Sequence, residues 1–437
     1  MQIRTSSSFV ALATLLLGAC TSSGSGGSSD AGLDANPDAT GPSTGGSTGA
    51  GGSGGRGGSA ATGGSAGRAG STGTGGSTGT LDGGSPSSDS GTPDGGGSCS
   101  VSGTDLTTDA THQLSGLSFG GDRLAFLSSD LTLTDAPTID TVHTNGTGRT
   151  TIYTPTGERR VNALITHGTT VYFLELNDDP SPMQELFSLP VAGGTATRLG
   201  AATFNAARFV GADDTSLYLV WDTDQPVGAV FARIVETTGA KATAATLENV
   251  ATPFYPQLSG DSIYFVDSTI GDPITTNTYG FPKAGADVTP TLLWTSNDTT
   301  DTCYLGIGGL TATPTKLVCG LFGVESHART GGTGAVVVPK DLTMRANEVV
   351  ASDAENVYLN TPPMDSTSVG TLQRVASTGG AITPIACDVR ELENHMADGV
   401  FPIQNEFEVI VGGDQLYWIE KNVSTADTTW TIRSAAK

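Results

Sequence analysis

The chain has 437 residues, 36% of them hydrophobic and only 15% charged, with 44 Asp and Glu against 21 Lys and Arg, a net charge of -23. Such an acidic surface repels phosphates and argues against a nucleic-acid partner. The 61 glycines are unevenly spread, so the chain is best read in segments.

The first twenty residues, "MQIRTSSSFVALATLLLGAC", carry a basic residue at Arg4, a short apolar run from Phe9 to Leu17 and small residues before Cys20. The run is too short to span a bilayer as a permanent helix, and its flanks match an export signal. Leu17-Gly18-Ala19-Cys20 resembles the lipobox of bacterial lipoproteins. The resemblance implies that residues 1–19 are a signal peptide and that Cys20 carries lipid, holding the chain on a membrane. Thr21 follows the cysteine where an aspartate would resemble an inner-membrane retention signal. The expected address is therefore the outer membrane or cell surface of a Gram-negative bacterium.

Residues 20–98 are dominated by Gly, Ser, Thr, Ala, Asp and Pro, and Leu33 and Leu81 are the only large apolar side chains after Cys20. They cannot bury enough surface to offset the entropy of ordering, so the segment is expected to be a disordered tether. A Gly/Ser coil of this length has a root-mean-square span on the order of 50 Å. Its "GGSGG" around Ser53 fits G-x-S-x-G but lacks the flanking strand and helix of a nucleophile elbow.

From Cys99 a repeat sets in. A polar turn precedes a short strand with an aromatic second residue in "GTTVYFLEL", "DTSLYLVWD", "GDSIYFVDS", "AENVYLNTP" and "GDQLYWIEK", with weaker copies in "GDRLAFLSS" and "PTKLVCGLF". The first apolar residues, Leu124, Val171, Leu217, Ile263, Leu317, Val357 and Leu416, are spaced 47, 46, 46, 54, 40 and 59 apart. A period near ~45 with short alternating strands predicts propeller blades. Each unit reads as four strands: one with small residues ("NALITHG", "FEVIVGG"), the aromatic strand, a third ("ELFSLP", "TLQRVA"), a Gly turn and a fourth ("TATRLG", "AITPIA"). "CDVRELENHMADG" from Cys387 is the one plausible short helix.

The seventh unit stops after its third strand, "TTWTIRS", whereas the domain begins with a spare segment from Val101. Thr104 to Thr108 is expected to supply the missing outer strand and close the ring, removing an edge open to aggregation. The fold class is thus all-β, a seven-bladed propeller over 99–437 closed by an N-terminal strand. The motifs resemble bacterial TolB-like and YWTD-like propeller repeats. That resemblance implies the fold but no activity, and blade five departs most, with Cys319 in place of an apolar residue.

Chemistry is sparse. His112, His143, His167, His327 and His395 form no metal-binding spacing, so they read as solvated or locally bonded. Four cysteines follow Cys20, an even number that suggests two disulfides in an exported domain. Cys303 and Cys319 flank a hairpin centred near Thr311 to Thr313, which would put them on neighbouring strands, and are expected to pair, leaving Cys99 with Cys387. Acids cluster between the second and third strands: Asp178, Asp179, Asp222, Asp224, Asp267 and Asp272. On one propeller face they could hold Ca²⁺ or a basic partner; the competing reading is turn chemistry and solubility. No other cofactor is expected. The resulting expectation is a monomeric, lipid-anchored binding or scaffolding module for an unidentified protein or glycan. The alternative is an enzyme, a lyase or hydrolase on glycans, with its site on the central axis.

Overall fold

A computed structural model describes residues 99–437 except 133–134, 178–182, 225–226, 249–252, 270–274, 297–302, 304–308, 321–322, 341–347, 364–367, 393–408 and 425–426. The described residues form seven antiparallel sheets, and they contain no helix. Inner strands contact one another in sequence around the ring, and that of blade seven contacts that of blade one. The seven-bladed propeller is closed. The expected aromatic strands are the second strands of the blades: Arg123–Asp130, Thr170–Asn177, Ser216–Asp224, Ser262–Thr269, Lys316–Cys319, Asn356–Thr361 and Gln415–Val423.

These strands are buried on both faces, which explains their nearly continuous apolar runs. In blade one, Leu124 and Phe126 enter an apolar layer shared with Tyr417 and Ile419 of blade seven. The alternate residues, Ala125 and Leu127, face Val171 and Phe173 of blade two. The core is therefore a ring of layers between blades, fed by the two-residue period of each strand. Small residues on the inner strands are required by the same crowding. A Cβ on Gly211 would lie 2.8 Å from Leu258 in blade four, and one on Gly412 would meet the Phe119 ring at 2.8 Å.

The aromatic position has a second role. In blades two, three, four, six and seven its tyrosine helps fasten the blade to the residue immediately following the third strand of the next. Tyr172 bonds Glu236, which also holds His167 Nδ1 at 2.8 Å. Tyr218 donates to Asp213 at 2.8 Å, and Lys283 of blade four pairs with that carboxylate at 2.7 Å. Arg329 Nε donates to the Tyr264 hydroxyl at 2.9 Å. Tyr358 donates to Asp353 at 2.7 Å, where Lys437 also binds at 3.1 Å. Tyr417 bonds Thr144 of blade one. At the blade five to six boundary, where Val318 replaces the tyrosine, Lys316 Nζ reaches the Ser377 carbonyl at 3.0 Å.

The outer strand of blade seven comes from the start of the domain. Thr104–Asp109 pairs antiparallel with Thr428–Ala436, with Thr107 opposite Ile432 and Asp109 opposite Trp430. A bulge between Asp105 and Thr107 accommodates Leu106, which joins the Trp430 and Ile432 layer. Arg433, 5% exposed, sits behind the seam. It binds the Gly103 carbonyl and Asp388 through Nη2, both at 2.8 Å, and Glu420 through Nη1 at 3.3 Å. Its Nε lies 2.8 Å from Asp105 as an ion pair without hydrogen-bond alignment. A Cys99–Cys387 disulfide, with Cα atoms 5.9 Å apart, joins the same segment to the outer strand of blade six, Thr383–Val389.

Two local expectations are corrected. Cys387 starts no helix: Thr383–Val389 and Glu391–Leu392 are strands, since their residues pair with Gly370–Ala376 and with Glu420 and Lys421. The remainder of that motif, 393–399, lies outside the described residues. The hairpin of blade five turns at 313–315, between Leu310–Ala312 and Lys316–Cys319, so Cys303 precedes the strands and does not lie on one.

Closure sets a mutational expectation. Leu106→Ala should cost about 2–5 kcal/mol, while a chain lacking residues 1–98 should melt like the full chain. Removing residues 1–109 should lower the melting temperature and promote self-association through the exposed Thr428–Ala436 edge, read by calorimetry and light scattering. Equal melting of the two truncations would contradict closure by this strand.

Candidate functional site

The hairpins joining second to third strands share one face, where the sequence placed its acids. Asp222, Asp224 and Asp267 lie within the second strands, because these hairpins continue past the apolar run. Asp222 is paired with Arg208 at 3.3 Å. Asp224 ends its strand opposite Val227. Asp267 is half-buried, and burial pushes its carboxyl up. Asp178, Asp179 and Asp272 fall outside the described residues, as does Cys20.

This face is held by partly buried charge pairs. Arg159 binds Glu175 at 2.6 Å and Glu185 at 3.0 Å, and Tyr153 donates to Glu175 at 2.5 Å. Arg149 bridges Asp140 and Asp109, each at 2.9 Å. Burial pulls the Arg208 guanidinium down to about 10 despite its pairing with Asp222. Glu348, at the start of the inner strand of blade six, is pushed up to about 7 by burial, against a hydrogen bond from Asn360 Nδ2 at 3.0 Å. These groups are occupied with one another, and their geometry is structural.

A different feature of the same face is open. A groove of about 330 Å³ runs between blades six and seven, bounded by Pro362, Pro363, Arg390, Lys421, Asn422 and Val423. The prolines and Val423 give it apolar walls, and Glu391 and Ser368 complete its polar rim. Glu391 stands opposite Lys421 in the ladder, and the Lys421 ammonium lies 5.6 Å from the Trp430 ring centroid. Two cations bracket apolar surface in a domain whose residues 100–437 carry 18 basic against 38 acidic side chains. The arrangement suits an anionic group attached to a chain that can lie against the prolines. Its residues come from three segments up to 61 positions apart, so no local motif marked them.

The second disulfide joins Cys303 to Cys319, with Cα atoms 5.3 Å apart. His327 adjoins it, buried at 6% exposure, with Nε2 3.9 Å from Cys303 Sγ. Read from the sequence as solvated or locally bonded, this histidine could not be linked to Cys303, which lies 24 residues away.

No protein-family model and no curated protein matches the chain. Solved structures do resemble it. A puromycin hydrolase aligns at TM-score 0.51 and 10% identity over 75% of this chain and 55% of its own. A mutant puromycin hydrolase complexed with PGG gives 0.50 and 10% over 71% and 50%. The β-propeller domain of the Trilobed protease from Pyrococcus furiosus gives 0.49 and 11% over 73% and 93%. The chain thus spans about half the length of the puromycin hydrolase it matches. At such identity the likeness establishes the propeller fold and nothing further.

Acid and base limbs of stability follow from the carboxylates. Burial alone would raise Asp109, Asp213 and Asp353, but hydrogen bonds and, for the last two, a lysine hold each near about 2. Their stabilisation is present above the unfolded carboxylate value and is lost as pH falls from about 4 towards about 2. Glu348 acts oppositely: its neutral form suits the fold, so stability declines as pH rises from about 4.3 towards its folded value of about 7. Melting curves against pH should show Asp353→Asn losing part of the acid limb. Glu348→Gln should raise the melting temperature at pH 8 with little effect at pH 4, and unchanged profiles in both variants would contradict these assignments.

Proposed function

We propose that this chain is a lipid-anchored, non-enzymatic binding module of a bacterial cell envelope, its ligand an envelope protein or glycan that presents a carboxylate to the groove between blades six and seven. The supporting observation is the pair Arg390 and Lys421 beside Pro362, Pro363 and Val423. A cationic groove on an otherwise acidic domain concentrates anionic ligands locally while the remaining surface repels them. The repeat phrases "VYFLE" and "LYWIE" support a place among TolB-like and YWTD-like propellers. Calcium or a basic partner at the acids Asp178, Asp179, Asp222, Asp224, Asp267 and Asp272 is a subsidiary part of the reading.

The address rests on Leu17-Gly18-Ala19-Cys20. Cys20→Ser should abolish lipid attachment and shift the protein out of the detergent-extracted membrane fraction. An unmodified Cys20 in membrane-associated protein would remove this part of the proposal.

The ligand is tested with the purified chain against immobilised acidic and neutral envelope glycans and envelope proteins, with and without Ca²⁺. Arg390→Ala with Lys421→Ala should weaken retention at least about tenfold, corresponding to about 1.4 kcal/mol, and added salt should do the same. Retention that is indifferent to both substitutions and to salt would reject the groove. Ligand turnover under these conditions would favour the alternative, a glycan lyase or hydrolase.

A further inference from the structure

Blade five breaks the repeat where it acquires unusual chemistry. Its second strand ends at Cys319, and its third, Val324–Ala328, places Glu325 directly opposite Cys319 and His327 opposite Leu317. Facing and next-but-one positions project to one side of a sheet, so Cys319, Glu325 and His327 share a face. Cys303 folds onto that face from ahead of the inner strand. Its Sγ lies 3.9 Å from His327 Nε2, and Glu325 Oε2 lies 3.6 Å from the same nitrogen. The ligand atoms of Cys303, Cys319 and His327 all fall within 4.8 Å of one another, and all three residues are buried.

The imidazole is held in one orientation. Nδ1 lies 3.1 Å from the Gly332 carbonyl, which can only accept, so Nδ1 carries the proton and Nε2 turns a lone pair towards the sulfurs. Trp294 of blade four stacks on the ring, with centroids 4.0 Å apart and planes within 5°. Gly334 lies against the other edge, where a Cβ would stand 2.7 Å from Nε2 and 2.9 Å from Glu325 Oε2. A cavity of about 10 Å³ lined by Cys303, Cys319, Tyr255, Val266 and Thr278 adjoins the sulfurs. That is about the space of one water or one ion. A histidine whose other nitrogen donates to a backbone carbonyl is also how metal-ligating imidazoles are held.

We propose that Cys303, Cys319, His327 and Glu325 form a redox-gated Zn²⁺ site, closed by the disulfide and opened by reduction. Bonds of about 2.3 Å to sulfur and about 2.0 Å to nitrogen set donors in a tetrahedral site roughly 3.5 Å apart, close to the separations already present around Nε2. A dithiol reductant transfers two electrons and two protons to the S–S bond, giving two cysteine thiols and becoming a disulfide itself. Zn²⁺ then displaces the two thiol protons and takes both thiolates, the Nε2 lone pair and the Glu325 carboxylate. Two thiolates favour Zn²⁺ over Mg²⁺ or Ca²⁺. Disulfide and metal exclude each other, so the compartment's redox poise selects the state of blade five.

The test uses the full chain carrying Cys20→Ser, which removes a stray thiol, reduced with a water-soluble phosphine and titrated with Co²⁺ as the spectroscopic probe. The expected result is one Co²⁺ per chain, with thiolate-to-cobalt charge-transfer and tetrahedral ligand-field bands, displaced by Zn²⁺. Without the phosphine there should be no bands. His327→Ala should weaken uptake at least about tenfold. His327→Gln, which retains volume and a donor for Gly332, serves if the alanine variant does not fold, and should fail equally. Co²⁺ uptake that is absent in the reduced chain, undiminished in the histidine variants, or present without reduction would overturn the proposal. The reduced Cys99 and Cys387 pair, remote from His327, is the source implicated by undiminished uptake.

Discussion

Everything in this ring depends on a pairing that the chain can make only once its last strand exists: Thr104–Asp109 against Thr428–Ala436. More than 300 residues separate the partners, so the entropy of closure is met after the blades have collapsed. Arg433 makes the seam more than a backbone ladder, because one guanidinium holds Gly103, Asp105, Asp388 and Glu420, and so parts of blades six and seven and the incoming strand. A buried cation of this kind is tolerable only with its partners in place. The seam therefore forms as a unit or leaves a charge stranded.

Around the ring the same economy recurs. Each second strand divides its side chains between two apolar layers, as Leu124 and Ala125 do in blade one. No blade owns a complete core. The tyrosines add polar ties that cross the same boundaries, from Tyr172 with Glu236 to Tyr358 with Asp353 and Lys437. Stability is thus shared between neighbours, as in other repeat architectures, but without terminal repeats to cap.

The fold was legible because its cause is periodic. Seven apolar anchors near ~45-residue spacing and one unpaired third strand are visible in a single sequence, and hydrophobic burial acts on that pattern directly. The cation that completes the Tyr218–Asp213 pair was not legible, for Lys283 belongs to the next blade and only the assembled ring brings it to Asp213. Asp222 and Asp267 looked like loop acids because their neighbours are turn formers, yet strand pairing runs past them to Val227 and Thr275. Arg390 and Lys421 lacked any signal, since the groove takes its residues from two blades, and His327 lacked one because 24 residues separate it from Cys303.

The Cys99–Cys387 disulfide lies on the N-terminal side of the closing strand and ends on the outer strand of blade six. Tension applied through the residues before Cys99 therefore divides at the sulfur, and the covalent branch leads into blade six without passing through Thr104–Asp109. The hydrogen-bonded seam is shielded from load by a chemical bond in parallel with it. Pulling on the leading segment would strain the sheet of blade six, braced on both sides, before it could peel the ring open, so the non-covalent seam is the joint that an external force reaches last.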